Sequence, residues 1–525
     1  MRLASRTDRW ALLLLLLGVA CRLLATFPLH VWAADSDSLG SAMVAFRVLE
    51  GTPKVFYNWP RLGALESYIH APFLLLFGVS RAATAFAPLL EATAFLWASW
   101  LLYKRLLLPR SARVAFVLVA LPSPAVLFWT HLPNGWGLTM LFTATTLLAA
   151  AVVVQEGPRP VRGLLLGLSA GLGWWNCMIA AAPIAAAGGW LLFRRRDAVR
   201  QVRFLAAGVL GFALGALPWI ASNVRYGFPS IRQSQQVRAV GGLSQAASNL
   251  GYVLGYGFPE LTATNPENIG NPPAALTRGL SWLAAVVYGA AALLAILALG
   301  FGDRALLPLW LLAGAIVLLN VFSTAGSTRG LTVRYVLPAW LLIPPLVARL
   351  GERLGEGLQK SRHGLFVAPA LAVVAFNVAA FPFPGTLRRE RERLDREAEV
   401  RLLSVLESQG TRVVFGDYWS VYPINFLTRE RILGIPWQAD TDICGYLKRL
   451  PVGSVPWSIL SSIPGELESI VTGAALEGTI RDVGRGRRLF LPAAIVVARP
   501  PATVLGDLLA AGAAAPSGKA SREEE

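Results

Sequence analysis

Two carboxylates, Asp35 and Asp37, stand in the string Ala34-Asp35-Ser36-Asp37-Ser38, directly after the first long apolar run of the chain. A third, Glu66, lies near the start of a second apolar segment, in Gly63-Ala64-Leu65-Glu66-Ser67-Tyr68. Ionisable groups at a membrane boundary are costly and are functional candidates by default. A carboxylate placed there can accept the proton of an attacking hydroxyl. It contributes mainly by position and by stabilising the positive charge that develops on the attacking oxygen. The plainer alternative makes Asp37, or Ser36, the N-cap of the helix that follows. The two roles are compatible, because a cap also fixes its own side chain.

Glu66 and His70 are four residues apart and share a helix face. They could give two ligands to a metal, but a site needs three or four. A Glu in the first turn of a helix is also favoured by the helix dipole. A divalent metal is therefore the one cofactor left open, with Glu66 and His70 as weak candidates. Lys54, Arg61, Arg225, Arg232, Arg329 and Arg334 could meet a phosphate on the outer side, and arginine's planar fork of donors suits that task. Arg334 stands apart from the rest because it begins a span, in Arg334-Tyr335-Val336-Leu337-Pro338, at the rim of any cavity the spans enclose. The others read as charges facing lipid headgroups. Neither a Walker-type Gly-Lys-Ser/Thr string nor a GxGxxG opening a helix occurs, so a nucleotide-linked substrate is not expected.

The elements that must hold these residues are hydrophobic. The chain has 525 residues, 55% of them hydrophobic and only 15% charged, with mean hydropathy +0.53. Apolar runs of about 18 residues or more recur from Ala11 onward, long enough to cross roughly 30 Å of hydrocarbon. The net charge of +17 invites a nucleic-acid partner, but its distribution excludes one. Basic residues crowd into short gaps between apolar runs, as in Lys104 to Arg113 and Arg194 to Arg203, which is the positive-inside pattern. No basic stripe interleaved with aromatics accompanies it. Three cysteines, two of them in apolar segments, imply no disulfide framework.

A first span from about Trp10 to Thr26 leaves the cytoplasm and delivers the chain to a first outer loop at 27–80. Within that loop Leu39, Ala42, Met43, Phe46 and Leu49 fall at helical spacing, which predicts an amphipathic helix lying along the interface. A second helix, Ala64 to Phe77, is too short to span comfortably. Further spans follow at Ala82–Tyr103, Val114–Trp129 and from the turn His131-Leu132-Pro133-Asn134 to Val154. The block Gly163–Phe193 must go out and back between two cytoplasmic loops, as two short helices broken near Trp174-Trp175-Asn176. Spans at Phe204–Ala221, Gly279–Phe301, Ala305–Phe322, Val333–Leu350 and Leu365–Phe381 complete about eleven crossings. From Pro384 the composition is that of a soluble domain, with a charged helix Arg388–Ser408 and strands at Thr411–Phe415 and Arg431–Ile435. The expected division is 1–383 membrane, 384–510 outer α/β domain and 511–525 low-complexity tail.

This order of elements resembles the GT-C membrane glycosyltransferases, especially the bacterial relatives of the dolichyl-phosphate-mannose–protein mannosyltransferases and of the lipid A aminoarabinose transferase. Asp37 to Gly51 resembles the family's first-loop pattern, with an acidic start and a closing Leu-x-Gly. Tyr57 with Gly63-Ala64-Leu65-Glu66-Ser67-Tyr68, Ala71-Pro72 and Phe77-Gly78 matches its second juxtamembrane segment. Pro218-Trp219 with Asn223 and Phe228-Pro229 resembles the loop after a middle span, and Arg334-Tyr335 with Pro338 a late-span motif. Many members carry Asp-Glu where this chain has Asp37-Ser38, so the choice between Asp35 and Asp37 stays open.

The resemblance implies a polytopic α-helical membrane protein of GT-C type, with juxtamembrane helices in its first outer loop and a small extracytoplasmic α/β domain. It would sit in the plasma membrane with its N-terminus in the cytoplasm. The implied activity moves a sugar from a polyprenyl-phosphate-linked donor to an outer acceptor (protein, lipid or glycan) by an inverting single displacement. Asp37, Asp35 and Glu66 would carry the chemistry. Tyr57, Arg61, Tyr68, His131, Asn223, Arg225, Arg334 and Tyr335 would bind substrates. The rival is a flippase or transporter of lipid-linked sugar without bond chemistry, which should carry binding groups near the midplane on broken helices. A third reading is a non-catalytic scaffold.

Overall fold

The computed structural model describes residues 6–492 apart from 31–35, 53, 59–61, 235–241, 265–274, 301–304, 324–331, 358–363, 381–385, 437–455, 462–465, 474–477 and 485–486. Asp35, Arg61, Arg329 and the 511–525 tail fall outside these residues. The chain forms two compact units. The first comprises Met1–Phe27, Trp59–Glu66 and Ala85–Phe383, and the second Pro28–Asn58, Ser67–Thr84 and Pro384–Glu525. The first-loop segments on either side of Trp59–Glu66 thus cluster with the C-terminal chain, which the expected boundary at 383 separates from them.

The order begins α1 (Arg6–His30), α2 (Ser36–Leu49), β1 (Phe56–Asn58), β2 (Leu62–Gly63), α3 (Leu65–Phe77), α4 (Arg81–Thr84), α5 (Phe86–Leu106), α6 (Pro109–Ala120) and α7 (Pro124–His131). It continues α8 (Trp136–Glu156), α9 (Pro160–Asn176), α10 (Ala181–Arg194), α11 (Val202–Gly215), α12 (Leu217–Tyr226), α13 (Pro229–Ser234), α14 (Leu243–Tyr252) and α15 (Phe258–Leu261). Then come α16 (Ala275–Gly300), α17 (Leu307–Val321), α18 (Thr332–Val336), α19 (Ile343–Gly357) and α20 (Gly364–Ala379).

Among the described residues three helices are long and apolar enough to cross a membrane, Arg81–Leu106, Trp136–Glu156 and Val333–Gly355, or up to five if each bent pair is one span. The chain is a multi-pass helical protein, but the expected single spans are often bent. The predicted span Val114–Trp129 is α6 and α7, bent by 65°. Its break falls on Leu121-Pro122-Ser123-Pro124, where two prolines deny the backbone amides a helix needs. Ser123 then accepts a hydrogen bond from the Val126 amide (3.3 Å) and restarts the helix. The predicted span Phe204–Ala221 is likewise α11 and α12, bent by 69°. Pro218 stands at the start of α12.

The expected break near Trp174-Trp175-Asn176 is where α9 stops. It is held by backbone contact with α11. A Cβ on Gly167 would stand 1.9 Å from the Gly208 carbonyl oxygen, and one on Gly211 would stand 2.1 Å from that of Leu164. Glycine at both faces lets the two backbones touch, as small residues do between membrane helices. Arg22, inside α1, was not anticipated. It is fully buried and donates to the carbonyls of Gly18 (3.2 Å), Ala120 (3.0 Å) and Val119 (3.4 Å). It thereby satisfies the orphan carbonyls that end α6.

The second unit holds a five-stranded sheet with β3 (Val413–Gly416), β4 (Leu433–Pro436), β5 (Trp457–Ser461), β6 (Gly478–Gly484) and β7 (Arg487–Pro492) in the order β4-β3-β5-β7-β6. β3 runs parallel to β4 and β5, and β7 antiparallel to β5 and β6. Val413, Val414 and Phe415 are fully buried, as a parallel strand covered on both faces requires. The charged helix expected at Arg388–Ser408 is α21 (Thr386–Ser408), whose Leu402 and Leu406 pack with Val414, Ile424 and Leu489. The helix between the two predicted strands is α22 (Tyr418–Leu427). Asp417 caps it, accepting from the Ser420 amide (3.1 Å) and hydroxyl (2.7 Å). The last helix among the described residues is α23 (Glu466–Gly473).

One expectation is overturned in this unit. α2 does not present a polar face to an interface: Leu39, Ser41, Ala42, Met43, Val44, Ala45 and Phe46 are all buried. Its small residues allow close packing on every side, including a Ser41–Ser67 hydroxyl pair at 3.2 Å that joins it to α3.

Candidate active site

In the first unit several polar groups converge on the break after α9. Leu62 of β2 pairs with Cys177, the residue just past the break. Beside it, a Cβ on Gly63 would stand 2.0 Å from the Trp175 carbonyl oxygen, so only glycine lets the outer loop lie against the broken helix. Asn176 is buried and donates to the Gly135 carbonyl (2.9 Å) and to Thr139 Oγ1 (3.0 Å). Gly135 begins α8 in the left-handed region, at φ +82°, which favours glycine. The turn Asn134-Gly135-Trp136-Gly137 is thereby pinned to the break.

Gly137 makes room for an acid. A Cβ on it would lie 2.6 Å from Glu91 Oε2, which sits against the start of α8. Glu91 is buried and close enough to Glu66, also fully buried, for the two carboxyl groups to interact. On the other side of the same turn, Trp136 meets Tyr335 edge-on at 5.7 Å. The Arg334 guanidinium lies over Trp129, at 5.5 Å from its ring centre, and over Tyr335 at 5.6 Å. Both distances are within cation–π range. Arg334 is also near enough to Cys177 for its charge to reach the thiol. His131 closes α7, buried, with Nδ1 at 2.8 Å from the Leu127 carbonyl. The result is a fork-shaped cation seated on aromatic rings in one part of this unit, and two buried carboxyl groups in another. The first suits a phosphate oxyanion. The second can hold a proton or orient a hydroxyl.

Of the residues singled out in the sequence, Glu66, His131, Arg334 and Tyr335 belong to this unit and to elements that meet at the α8 turn. Asn223 and Arg225 also belong to it but on α12. Asn223 is spent on its own turn, donating to the Trp219 carbonyl (2.9 Å) and Ser230 Oγ (3.1 Å) and accepting from the Ser230 amide (3.1 Å). Arg225 is exposed and lies over Tyr226 at 5.4 Å. Asp37, Tyr57, Tyr68 and His70 are in the second unit. Asp37 is the second residue of α2, in keeping with its expected place at a helix start, and Tyr57 lies on β1. Tyr68 donates to the Lys54 carbonyl (3.1 Å), and partial burial pushes its phenol above the ordinary value, so it remains a donor. Among the described residues no three His, Cys, Asp or Glu side chains gather to hold a metal.

Sequence reading gave no role to Glu91, an acid inside the predicted span Ala82–Tyr103. It passed over Trp129, Trp136 and Asn176 as site residues. A usable signal was present: glycines at 135 and 137 bracket Trp136, just where one helix hands over to the next.

No family model matches the sequence, and no curated protein matches it. Solved structures do. ArnT from Cupriavidus metallidurans in the apo state superposes with a TM-score of 0.60 at 14% identity, covering 95% of this chain and 99% of that one. The same protein bound to undecaprenyl phosphate gives 0.60 at 14%, covering 93% and 99%. The Archaeoglobus fulgidus oligosaccharyltransferase in the apo form gives 0.49 at 14%, covering 82% of this chain and 64% of that one. The two ArnT superpositions run over almost the whole of both chains. The protein therefore shares the fold of ArnT over nearly its whole length.

Proposed function

We propose that this protein is an integral membrane glycosyltransferase that moves a sugar from a polyprenyl-phosphate-linked donor to an extracytoplasmic acceptor. The observation that supports this most is the Arg334 guanidinium seated on Trp129 and Tyr335 beside the α9 break, in a fold shared with a protein crystallised with undecaprenyl phosphate. Arg334 binds the donor phosphate. The acceptor oxygen forms a bond to the anomeric carbon as the bond from that carbon to the phosphate oxygen breaks, inverting the centre. The proton leaves the acceptor to a first-loop carboxylate, Asp37 or, two residues earlier, Asp35. The electron pair departs with the polyprenyl phosphate, which needs no protonation to leave. Glu66, with Glu91 beside it, orients the sugar or the acceptor.

The protein sits in the plasma membrane with its N-terminus inside and its C-terminal domain outside, in line with the basic residues of its short loops. The test compares envelope glycans and glycoproteins by mass spectrometry with and without the gene. A sugar lost from a protein, lipid or glycan supports transfer and identifies both substrates. Unchanged glycans together with lipid-linked sugar accumulating on the cytoplasmic side would support the transporter instead.

A further inference from the structure

The second unit contains a connection that the proposed chemistry does not use. Arg47, in the last turn of α2, forms ion pairs with Glu50 and with Glu430. Arg47 and Glu430 are both 7% exposed at the side chain, so their pair is shielded from water. Glu430 follows α22, and it and Arg429 both have positive φ, 60° and 51°. Neither is glycine, and a side chain in that region strains the backbone. The strained turn points the Glu430 carboxylate at α2. Phe46, the residue before Arg47, stacks on Phe426 of α22, with ring centres 5.9 Å apart and planes 6° from parallel. A second ion pair, Arg81–Glu399, joins α4, at the end of the first outer loop, to α21. Both partners are largely buried, at 11% and 17% exposure.

We infer that the C-terminal α/β domain is a positioning element for the first outer loop, and that Glu430 fixes α2, the helix whose first turn carries Asp37, through Arg47. This rests on the proposed transfer only for what α2 delivers; the clasp itself is a matter of contacts within the second unit. Asp37 and Arg47 are ten residues apart, so a rigid helix separates them by about 15 Å. A tilt of about 4° at the Arg47 end moves the other end by about 1 Å, and a misplacement of that size can cost about a hundredfold in rate. Glu430 and Arg47 are positioning residues and do not touch the reacting atoms.

The test uses the full-length protein in nanodiscs, with two readouts. The first is hydrogen exchange of the α2 amides between Ala42 and Phe46, read against the β3 amides of Val413–Phe415. The second is steady-state transfer. Glu430→Gln should raise α2 exchange by about tenfold or more, the loss of a charge-assisted hydrogen bond, while β3 exchange stays unchanged. The same variant should lower kcat by about 10- to 100-fold, with the donor KM within about twofold. The reversed pair, Arg47→Glu with Glu430→Arg, should recover most of both. Equal loosening of α2 and β3 would mean that Glu430 merely stabilises its own domain and would overturn the inference. So would α2 exchange that does not change, or a kcat that stays at the wild-type value while α2 loosens. If the wild-type protein transfers no sugar from any polyprenyl-phosphate donor, the proposed function fails. The exchange data then still decide whether the clasp exists.

Discussion

Replacing Arg334 with Ala tests donor recognition at the group proposed to carry it. The guanidinium lies 5.5 Å from the Trp129 ring centre and 5.6 Å from that of Tyr335, so its plane is held before ligand arrives. An alanine there removes hydrogen bonds to a charged phosphate, which are worth about 1.5–3 kcal/mol. At about 1.4 kcal/mol per factor of ten, that predicts affinity for polyprenyl phosphate falling roughly 10- to 150-fold. Arg334→Lys keeps the charge but loses the planar fork and most of the stacking on Trp129. A loss of about 0.5–1 kcal/mol, or two- to fivefold, is expected. The assay is equilibrium binding of a labelled polyprenyl phosphate to the purified protein in nanodiscs at fixed ionic strength, with thermal unfolding measured alongside. If Arg334→Ala binds within twofold of wild type and melts normally, the phosphate is held elsewhere and this reasoning is wrong. If Lys is as weak as Ala, charge is not the working property and ring packing is.

Asp37→Asn keeps the size and most of the capping ability of the side chain but removes its negative charge, so transfer should fall by about 10² to 10⁴-fold with donor binding unchanged. Full activity in the Asp35→Asn/Asp37→Asn double variant would rule out the first loop as the source of the base. Orientation is checked in a cysteine-free background, using exposed positions: Arg196→Cys should resist an impermeant thiol reagent in intact cells, and Ser404→Cys should react. Gly167→Ala would set its methyl carbon 1.9 Å from the Gly208 carbonyl oxygen and should cost about 1–3 kcal/mol or more, read as a lower melting temperature. Gly188→Ala, in α10 with nothing within 4 Å of the new atom, should be neutral or stabilising by up to about 1 kcal/mol, so equal effects at the two sites would refute the packing argument.

Much of the membrane part was legible because its signals are local. Apolar runs between basic gaps located the helices, and the break at Trp174-Trp175-Asn176 followed from the need to go out and back in 31 residues, Gly163 to Phe193. The bends at Pro122 and Pro218 were equally local, but a hydropathy window averages over them and reads one span where the chain makes two helices. α2 was misread for a different reason. Leu39, Met43 and Phe46 do recur at helical spacing, yet Gly40, Ser41, Ala42 and Ala45 between them are small rather than charged. A periodic pattern with small residues on its other face fits burial between elements better than a float at the interface. The partners that bury it, α22 above all, lie nearly four hundred residues away in sequence.

The candidate site was legible only where one residue type is suited to one task. Arg334 at a span start and Glu66 at a helix start could be named from their positions alone. Trp129, Trp136, Asn176 and Glu91 could not, because each acts through a contact that the sequence does not order: a ring beneath a guanidinium, an amide under a left-handed glycine, a carboxyl group in the space Gly137 leaves free. Asn223 looked like a binding residue for the opposite reason. A buried amide in a motif is as useful to a turn as to a ligand, and here Ser230 and the Trp219 carbonyl take it up. The broken helix and the buried Glu91 also weigh on the choice between enzyme and transporter, since a transporter is expected to place binding groups on broken helices near the midplane. Glu91 lies well inside the 26-residue span Arg81–Leu106, against the first turn of α8, whereas Glu66 stands in the first turn of α3. With one buried acid inside a span and the other at a helix start, it is the transfer assay that separates enzyme from transporter.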